Sequence, residues 1–155
     1  MRETWKNLDL RSQPGHCARR VQQLAVALFT QEVAELNLTP VQYSSLQAVC
    51  SQPGIDQKTL ATTIGYDTST IGGVIDRLEA RGLLSREVSP TDRRARLLSP
   101  TAEGRRLLQA AVPRMLRAQE RLLAPLAPAE RKEFVRLMQV LIDAYADLSS
   151  LPTKE

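Results

Sequence analysis

Eight arginines and no lysine lie between positions 77 and 106: Arg77, Arg81, Arg86, Arg93, Arg94, Arg96, Arg105 and Arg106. A guanidinium is a planar fork of N–H donors that keeps its charge at any ordinary pH and matches the geometry of oxyanions, phosphate above all. Asp76 just before it and Glu79, Glu87, Asp92 and Glu103 within it are available as partners, so roughly half of these arginines are expected to be paired or solvated in the bland way surface charges are. The densest part, SPTDRRARLLSPTAEG at 89–104, is too basic and too rich in turn formers for a core element. It reads as a solvated loop or as a basic finger that touches something acidic. A second set of residues precedes it: Thr68, Ser69 and Thr70, with Gly73 and Arg77 following. Small hydroxylated side chains at the start of a helix let its backbone come close to a partner, and the amides there suit phosphate oxygens.

Catalytic chemistry finds little support. The chain has one histidine, His16, and lacks a Gly-rich phosphate loop, a G-x-S-x-G elbow and an H-E-x-x-H pair. No enzyme activity, cofactor or metal site is expected. Cys17 and Cys50 match no metal spacing and read as reduced thiols, with a redox-sensing role for Cys17 kept as an alternative because Arg19 and Arg20 stand near it. The opening MRETWKNLDL carries charges where a signal peptide would be apolar, and no apolar run is long enough to span a membrane, so a cytoplasmic protein is expected.

The elements that must position these groups follow from periodicity. The chain has 155 residues, 43% of them apolar but only 4% aromatic, and a net charge of +4; a core built from aliphatic side chains suits helix packing, and the charge favours an anionic partner. Val21, Leu24, Ala25, Leu28 and Phe29 form the stripe of a first helix. Thr39, Pro40 and Gln42 make a capped start for a second, ending before Pro53-Gly54 and burying Leu46, Val49 and Cys50. Asp56 can cap a short helix through Ile64, closed by Gly65, and Asp67 or Thr68 a longer one carrying Ile71, Val74, Ile75 and Leu78 up to Gly82. Two helices around a tight glycine turn have the form of a helix-turn-helix. LLSREV and ARLLS, with SPTDRR between them, then predict a β-hairpin, and a hairpin in that place makes a winged helix with arginines at its tip and rim. Gly72-Gly73 inside the second of these helices costs up to ~1 kcal/mol per residue against alanine, which close approach of DNA, or of a neighbouring helix, would explain. The last third predicts two long amphipathic helices, the first kinked or divided at Pro113 and the second starting at Pro128.

The motif LExRGLLxR, carried by Leu78, Glu79, Arg81, Gly82, Leu83, Leu84 and Arg86, is followed by DxRxxxxxxT and a glycine, carried by Asp92, Arg94, Thr101 and Gly104. This resembles the MarR family of winged-helix transcription regulators, over about residues 16 to 148. One departure is Pro100, where the family has leucine, so the returning strand is expected to end early. The resemblance implies a mainly α fold with a small β-hairpin wing. Residues 39–101 would form a winged helix-turn-helix that binds DNA, and 1–38 with 102–155 a helical dimerisation region. DNA contacts are expected from Thr68, Ser69, Thr70, Gly73, Arg77, Arg93, Arg94 and Arg96, with Arg94 entering the minor groove; Asp92 orients an arginine or caps the turn. The long terminal helices expose more apolar surface than one lobe can cover, which predicts a homodimer and a palindromic site on double-stranded DNA.

Many such dimers, the resemblance further implies, are repressors released by a small aromatic carboxylate or phenol bound between the dimer helices and the winged lobe. Candidate lining residues are His16 and Arg20, four apart on the first helix, Tyr43 and Gln47, four apart on the second, and Trp5 if the N-terminal segment folds over them. Two alternatives stay open: a thiol redox sensor, and a winged helix serving only protein interaction.

Overall fold

The structure is a computed structural model that describes residues 8–148; Trp5 lies outside the described residues. Three successive helices start on side chains that satisfy their otherwise unpaired amides. At α2 (Pro40–Ser51) the Thr39 hydroxyl accepts from the Gln42 amide and the Gln42 side chain accepts from the Thr39 amide, the reciprocal capping box predicted from sequence. Asp56 caps α3 (Gln57–Ile64) by accepting from the Thr59 amide, and Asp67 caps α4 (Thr68–Ala80) by accepting from the Thr70 amide. Gly65 ends α3 with φ +73°, a left-handed geometry that glycine adopts without a Cβ penalty. The helix-turn-helix is therefore α3–α4, preceded by α2 and by a long α1 (Pro14–Val33).

The wing is a three-stranded antiparallel sheet rather than a lone hairpin. β2 (Leu84–Val88) pairs with β3 (Arg96–Pro100), and a two-residue β1 (Ile55–Asp56) adds to the other edge of β3. A strand of two residues has no alternation to detect, so β1 was not expected. The expectation that Pro100 ends the returning strand early is corrected: β3 runs through it, with Leu84 opposite Pro100. The Ser89 amide donates to the Ala95 carbonyl and the Thr101 amide to the Leu83 carbonyl, and antiparallel bonds fall on alternate pairs. The Leu84–Pro100 pair lies between bonded pairs, where the missing N–H removes nothing from the β2 ladder.

The aliphatic core behaves as the composition implies. Leu46, Leu60, Ile71, Ile75, Leu78 and Leu98 are fully buried between α2, α3, α4 and the sheet. A second cluster joins Phe29 and Val33 of α1, Leu38, Tyr43 of α2, and Ala111 and Ala118 of α5 (Ala102–Leu123). Leu107 and Leu108 touch both clusters, so α5 ties the winged lobe to α1. Pro113 does not divide this helix, which is continuous from Ala102 to Leu123. Pro113 and Gln109, whose carbonyl loses its partner, are both exposed, and water can satisfy the freed carbonyl.

The outer helices leave apolar surface uncovered, as their length implied for the terminal pair. Leu24 of α1 is 52% exposed, against the expectation that it faces the core, and so is Leu116 of α5. On α6 (Pro128–Ala144) no residue is buried, and Leu137, Val140, Leu141 and Ile142 all face solvent, the last at 64%. None of the described helices is long and apolar enough to cross a membrane.

Candidate nucleic-acid interface

A groove of about 900 Å³ opens between α3 and the wing. Its wall on one side is Lys58, Thr59, Thr62 and Thr63 of α3 with Thr68, the first residue of α4; on the other side are Ser89, Thr91, Asp92, Arg94 and Arg96. The sequence therefore placed Thr68, Arg94 and Arg96 on what is one surface. Ser69, Thr70, Gly73 and Arg77 are exposed on α4, outside the groove lining. The threonines of α3 were not singled out from sequence, although 59, 62 and 63 share the i, i+3, i+4 spacing of one helix face.

The turn at the wing tip is held by its own polar atoms. The Ser89 hydroxyl accepts from the Thr91 and Asp92 amides, both at 3.3 Å, and Asp92 accepts from the Arg94 amide at 2.9 Å. Asp92 thus fixes the turn backbone and leaves the arginine head groups free. Arg96 donates to the Arg93 carbonyl at 3.0 Å. Among the described residues the guanidiniums of Arg93, Arg94, Arg77 and Arg105 take no hydrogen bond or ion pair, while four others do. Arg86 bonds Glu79 at 2.6 Å and Asp76 at 2.8 Å, contacts that raise its pKa, with the Glu79 bond leading. Arg106 pairs with Glu103, and Arg81 reaches across to the Leu36 and Asn37 carbonyls.

Much of the LExRGLLxR…DxR…T motif has a role in building the wing. Gly82 takes φ +70° at the exit of α4. The Thr101 hydroxyl donates to the Gly82 carbonyl at 2.6 Å and accepts from the Gly104 amide at 3.0 Å. A Cβ at Gly104 would run into the Leu83 carbonyl. The two glycines of α4 differ: a Cβ at Gly72 would meet the Gln57 side chain at 3.2 Å, whereas one at Gly73 would stand in open space. No packing among the described residues explains Gly73.

A second concavity, about 280 Å³, lies among α1, α2 and α5. Phe29 and Tyr43 form its aromatic wall, their rings 5.6 Å apart and edge to face, and Gln22, Ser44, Gln47 and Gln119 line the rest together with Ala25, Val26, Pro40 and Met115. The Tyr43 hydroxyl is buried without a hydrogen-bond partner among the described residues, and burial pushes its pKa up. Of the predicted ligand residues, Tyr43 and Gln47 are here; His16 and Arg20 lie nearer the N-terminus of α1, outside the lining, with Arg20 donating to Gln23 at 3.0 Å. Cys17 is exposed, its sulfur donating to the Arg11 carbonyl at 3.1 Å, and Cys50 is half-buried with its pKa raised by burial.

A winged helix-turn-helix whose wing carries unpaired arginines beside the first turn of its second helix is a DNA-binding architecture. The comparisons agree. The family model for the MarR family matches residues 36–95. The crystal structure of the PcaV transcriptional regulator from Streptomyces coelicolor, in complex with its natural ligand, is 41% identical and superposes with a TM-score of 0.83, covering 88% of this chain and 96% of that one. Bordetella bronchiseptica BpsR, whose DNA binding is regulated by 6-hydroxynicotinic acid, is 34% identical with a TM-score of 0.83, over 88% and 97% of the two chains. The transcriptional repressor CouR of Rhodococcus jostii RHA1, bound to a 23-mer DNA duplex, is 32% identical with a TM-score of 0.80, over 85% and 94%. The chain belongs to the MarR family and is a transcriptional regulator.

Proposed function

We propose that this protein is a homodimeric repressor that binds a palindromic operator and is released by a small aromatic carboxylate or phenol. The observation that carries the DNA half is the groove in which Arg94, unpaired among the described residues, faces Thr68 at the first turn of α4. The N-terminus of α4, with Thr68, Ser69, Thr70, the bare backbone at Gly73 and Arg77, enters the major groove. Arg93 and Arg94 reach the adjacent minor groove, whose negative potential attracts guanidinium. Arg96 and Lys58 flank the phosphates between them. Residues 39–101 act as the DNA-binding lobe, and 1–38 with 102–155 as the pairing region. The exposed Leu137, Leu141 and Ile142 on α6, with Leu24 on α1, support pairing, because large exposed apolar patches mark interaction surfaces.

The chamber bounded by Phe29 and Tyr43 supports the effector half. Its volume sits at the small end of ligand pockets, it offers aromatic faces and amide groups, and BpsR responds to an aromatic acid. Tyr43 and Gln47 contact the ring and its hydroxyl; on the helix that walls the chamber, Arg20 supplies the positive charge a carboxylate needs and His16 a hydrogen-bond donor. The test is a titration of a duplex enriched from a random library, followed by 6-hydroxynicotinic acid and a panel of hydroxybenzoic acids. Release of 5- to 150-fold corresponds to a coupling of ~1 to 3 kcal/mol. Failure of every such acid to bind the free protein overturns the effector half, and release by peroxide that Cys17→Ser abolishes would replace it with a thiol sensor.

A further inference from the structure

Arg81 is the residue on which α4 ends, and its side chain reaches the connection between α1 and α2. Its guanidinium donates to the Asn37 carbonyl at 2.7 Å and to the Leu36 carbonyl at 3.3 Å, across 44 residues of sequence. The elbow it grips, 34–39, is unusual. Asn37 has φ +50° and is the one described non-glycine residue with positive φ, a conformation that asparagine tolerates better than most side chains. The elbow separates α1, which supplies Phe29 to the chamber, from α2, which supplies Tyr43, Ser44 and Gln47.

The same segment is pinned from its other side. Arg114 of α5 donates to the Glu32 carbonyl at 3.3 Å and pairs with Glu35 at 2.8 Å. The Glu32 carboxylate takes Arg121 at 2.8 Å and Arg117 at 3.1 Å. The stretch from Glu32 to Asn37 is thus held by Arg81 of the recognition helix and by Arg114, Arg117 and Arg121 of α5. Whatever spreads α1 from α2 moves the two carbonyls that Arg81 holds, and with them the C-terminal end of α4.

We infer that Arg81 is the positioning residue that transmits the state of the Phe29–Tyr43 chamber to the recognition helix. The inference rests on the effector reading above, and its test needs no effector. Two substitutions fill the chamber by side chain alone: Ala25→Phe from α1 and, as an independent variant, Ser44→Leu from α2. Each is combined with Arg81→Ala, and operator affinity is measured by fluorescence anisotropy on the enriched duplex, with circular dichroism confirming that every variant is folded. Filling the chamber is expected to weaken binding by about 5-fold or more in the Arg81 background, the lower end of ordinary allosteric couplings. In the Arg81→Ala background it is expected to change binding by less than ~2-fold, and Arg81→Lys, with a point charge in place of the fork, should fall between. A merely structural Arg81 would lower affinity in all backgrounds alike. If filling weakens binding equally with and without Arg81, the link is overturned while the effector reading stands; if neither filled variant changes binding in the Arg81 background, chamber and DNA surface are uncoupled and both fall.

Discussion

Replacing Gly73 by alanine pulls stability and DNA affinity in opposite directions. The position is exposed within the interior of α4, and a Cβ there meets nothing within 4 Å. Alanine is favoured over glycine in a helix interior by ~0.8 to 1.0 kcal/mol, and nothing in the chain subtracts from that gain. For a chain of this size ~1 kcal/mol raises the melting temperature by about 2 to 4 °C. On DNA the new methyl occupies the space into which a base edge or sugar must fit, so affinity is expected to fall about tenfold, or ~1.4 kcal/mol. Gly72→Ala serves as the control for affinity. It gains the same helix propensity, offset in part by its Cβ standing 3.2 Å from the end of the Gln57 side chain, so it should raise the melting temperature by no more than Gly73→Ala does and leave DNA affinity near native. The assay is a pair of measurements at one fixed protein concentration, thermal denaturation by circular dichroism and anisotropy on the enriched duplex. A lower melting temperature for Gly73→Ala would contradict the helix placement, and a more stable variant with native affinity would remove Gly73 from the interface.

Other outcomes follow from individual contacts. Arg94→Ala should weaken DNA binding and reduce the slope of log affinity against log salt by ~0.9 if one phosphate contact is lost, whereas Arg86→Ala, whose side chain is engaged by Asp76 and Glu79, should lower the melting temperature and leave the salt slope unchanged. Gly104→Ala forces a methyl against the Leu83 carbonyl and should destabilise the fold by ~1 to 3 kcal/mol, as overpacking does, read from chemical denaturation. The Asp56 and Asp67 carboxyls are held below their usual pKa by the Thr59 and Thr70 hydroxyls and then by the amides of those residues. Their contribution to stability is whole above the unfolded value of ~3.9 and is lost as the pH falls through the lower folded values. The Asp56→Asn/Asp67→Asn double variant keeps both caps and should show a shallower loss of melting temperature below about pH 4.

How far the sequence carried the fold depends on whether a signal was local. The caps at Thr39, Asp56 and Asp67 and the stops at Gly65 and Gly82 are short-range hydrogen-bond and dihedral requirements, and the structure realises each of them. Pro100 and Pro113 misled because the effect of a lost N–H depends on where that N–H would have pointed. At Pro100 it faces away from β2, and at Pro113 the orphaned carbonyl is in water. Burial of Leu24 was overestimated because periodicity names an apolar face but not what covers it, whereas the surplus apolar surface expected on the terminal helices is present on α6.

The candidate site was legible in the same uneven way. Arg94, Arg96 and Thr68 meet in one groove, as a winged helix requires, but Lys58 and the α3 threonines entered only when the lobe closed around them. Arg81, one of the eight arginines but not among the expected DNA contacts, bonds a backbone elbow far away in sequence. No local pattern predicts such a contact, because it depends on how α4 docks against the α1–α2 connection.

The account turns on paired chains presenting two wings and two α4 helices to one duplex. Hydroxyl-radical footprinting of the enriched duplex, read together with the mass of the complex by light scattering, tests this directly. The expected result is two chains per duplex and two symmetry-related protected patches whose centres lie about 10 base pairs, one helical turn, apart or a whole multiple of it. One chain per duplex with a single protected patch would contradict it.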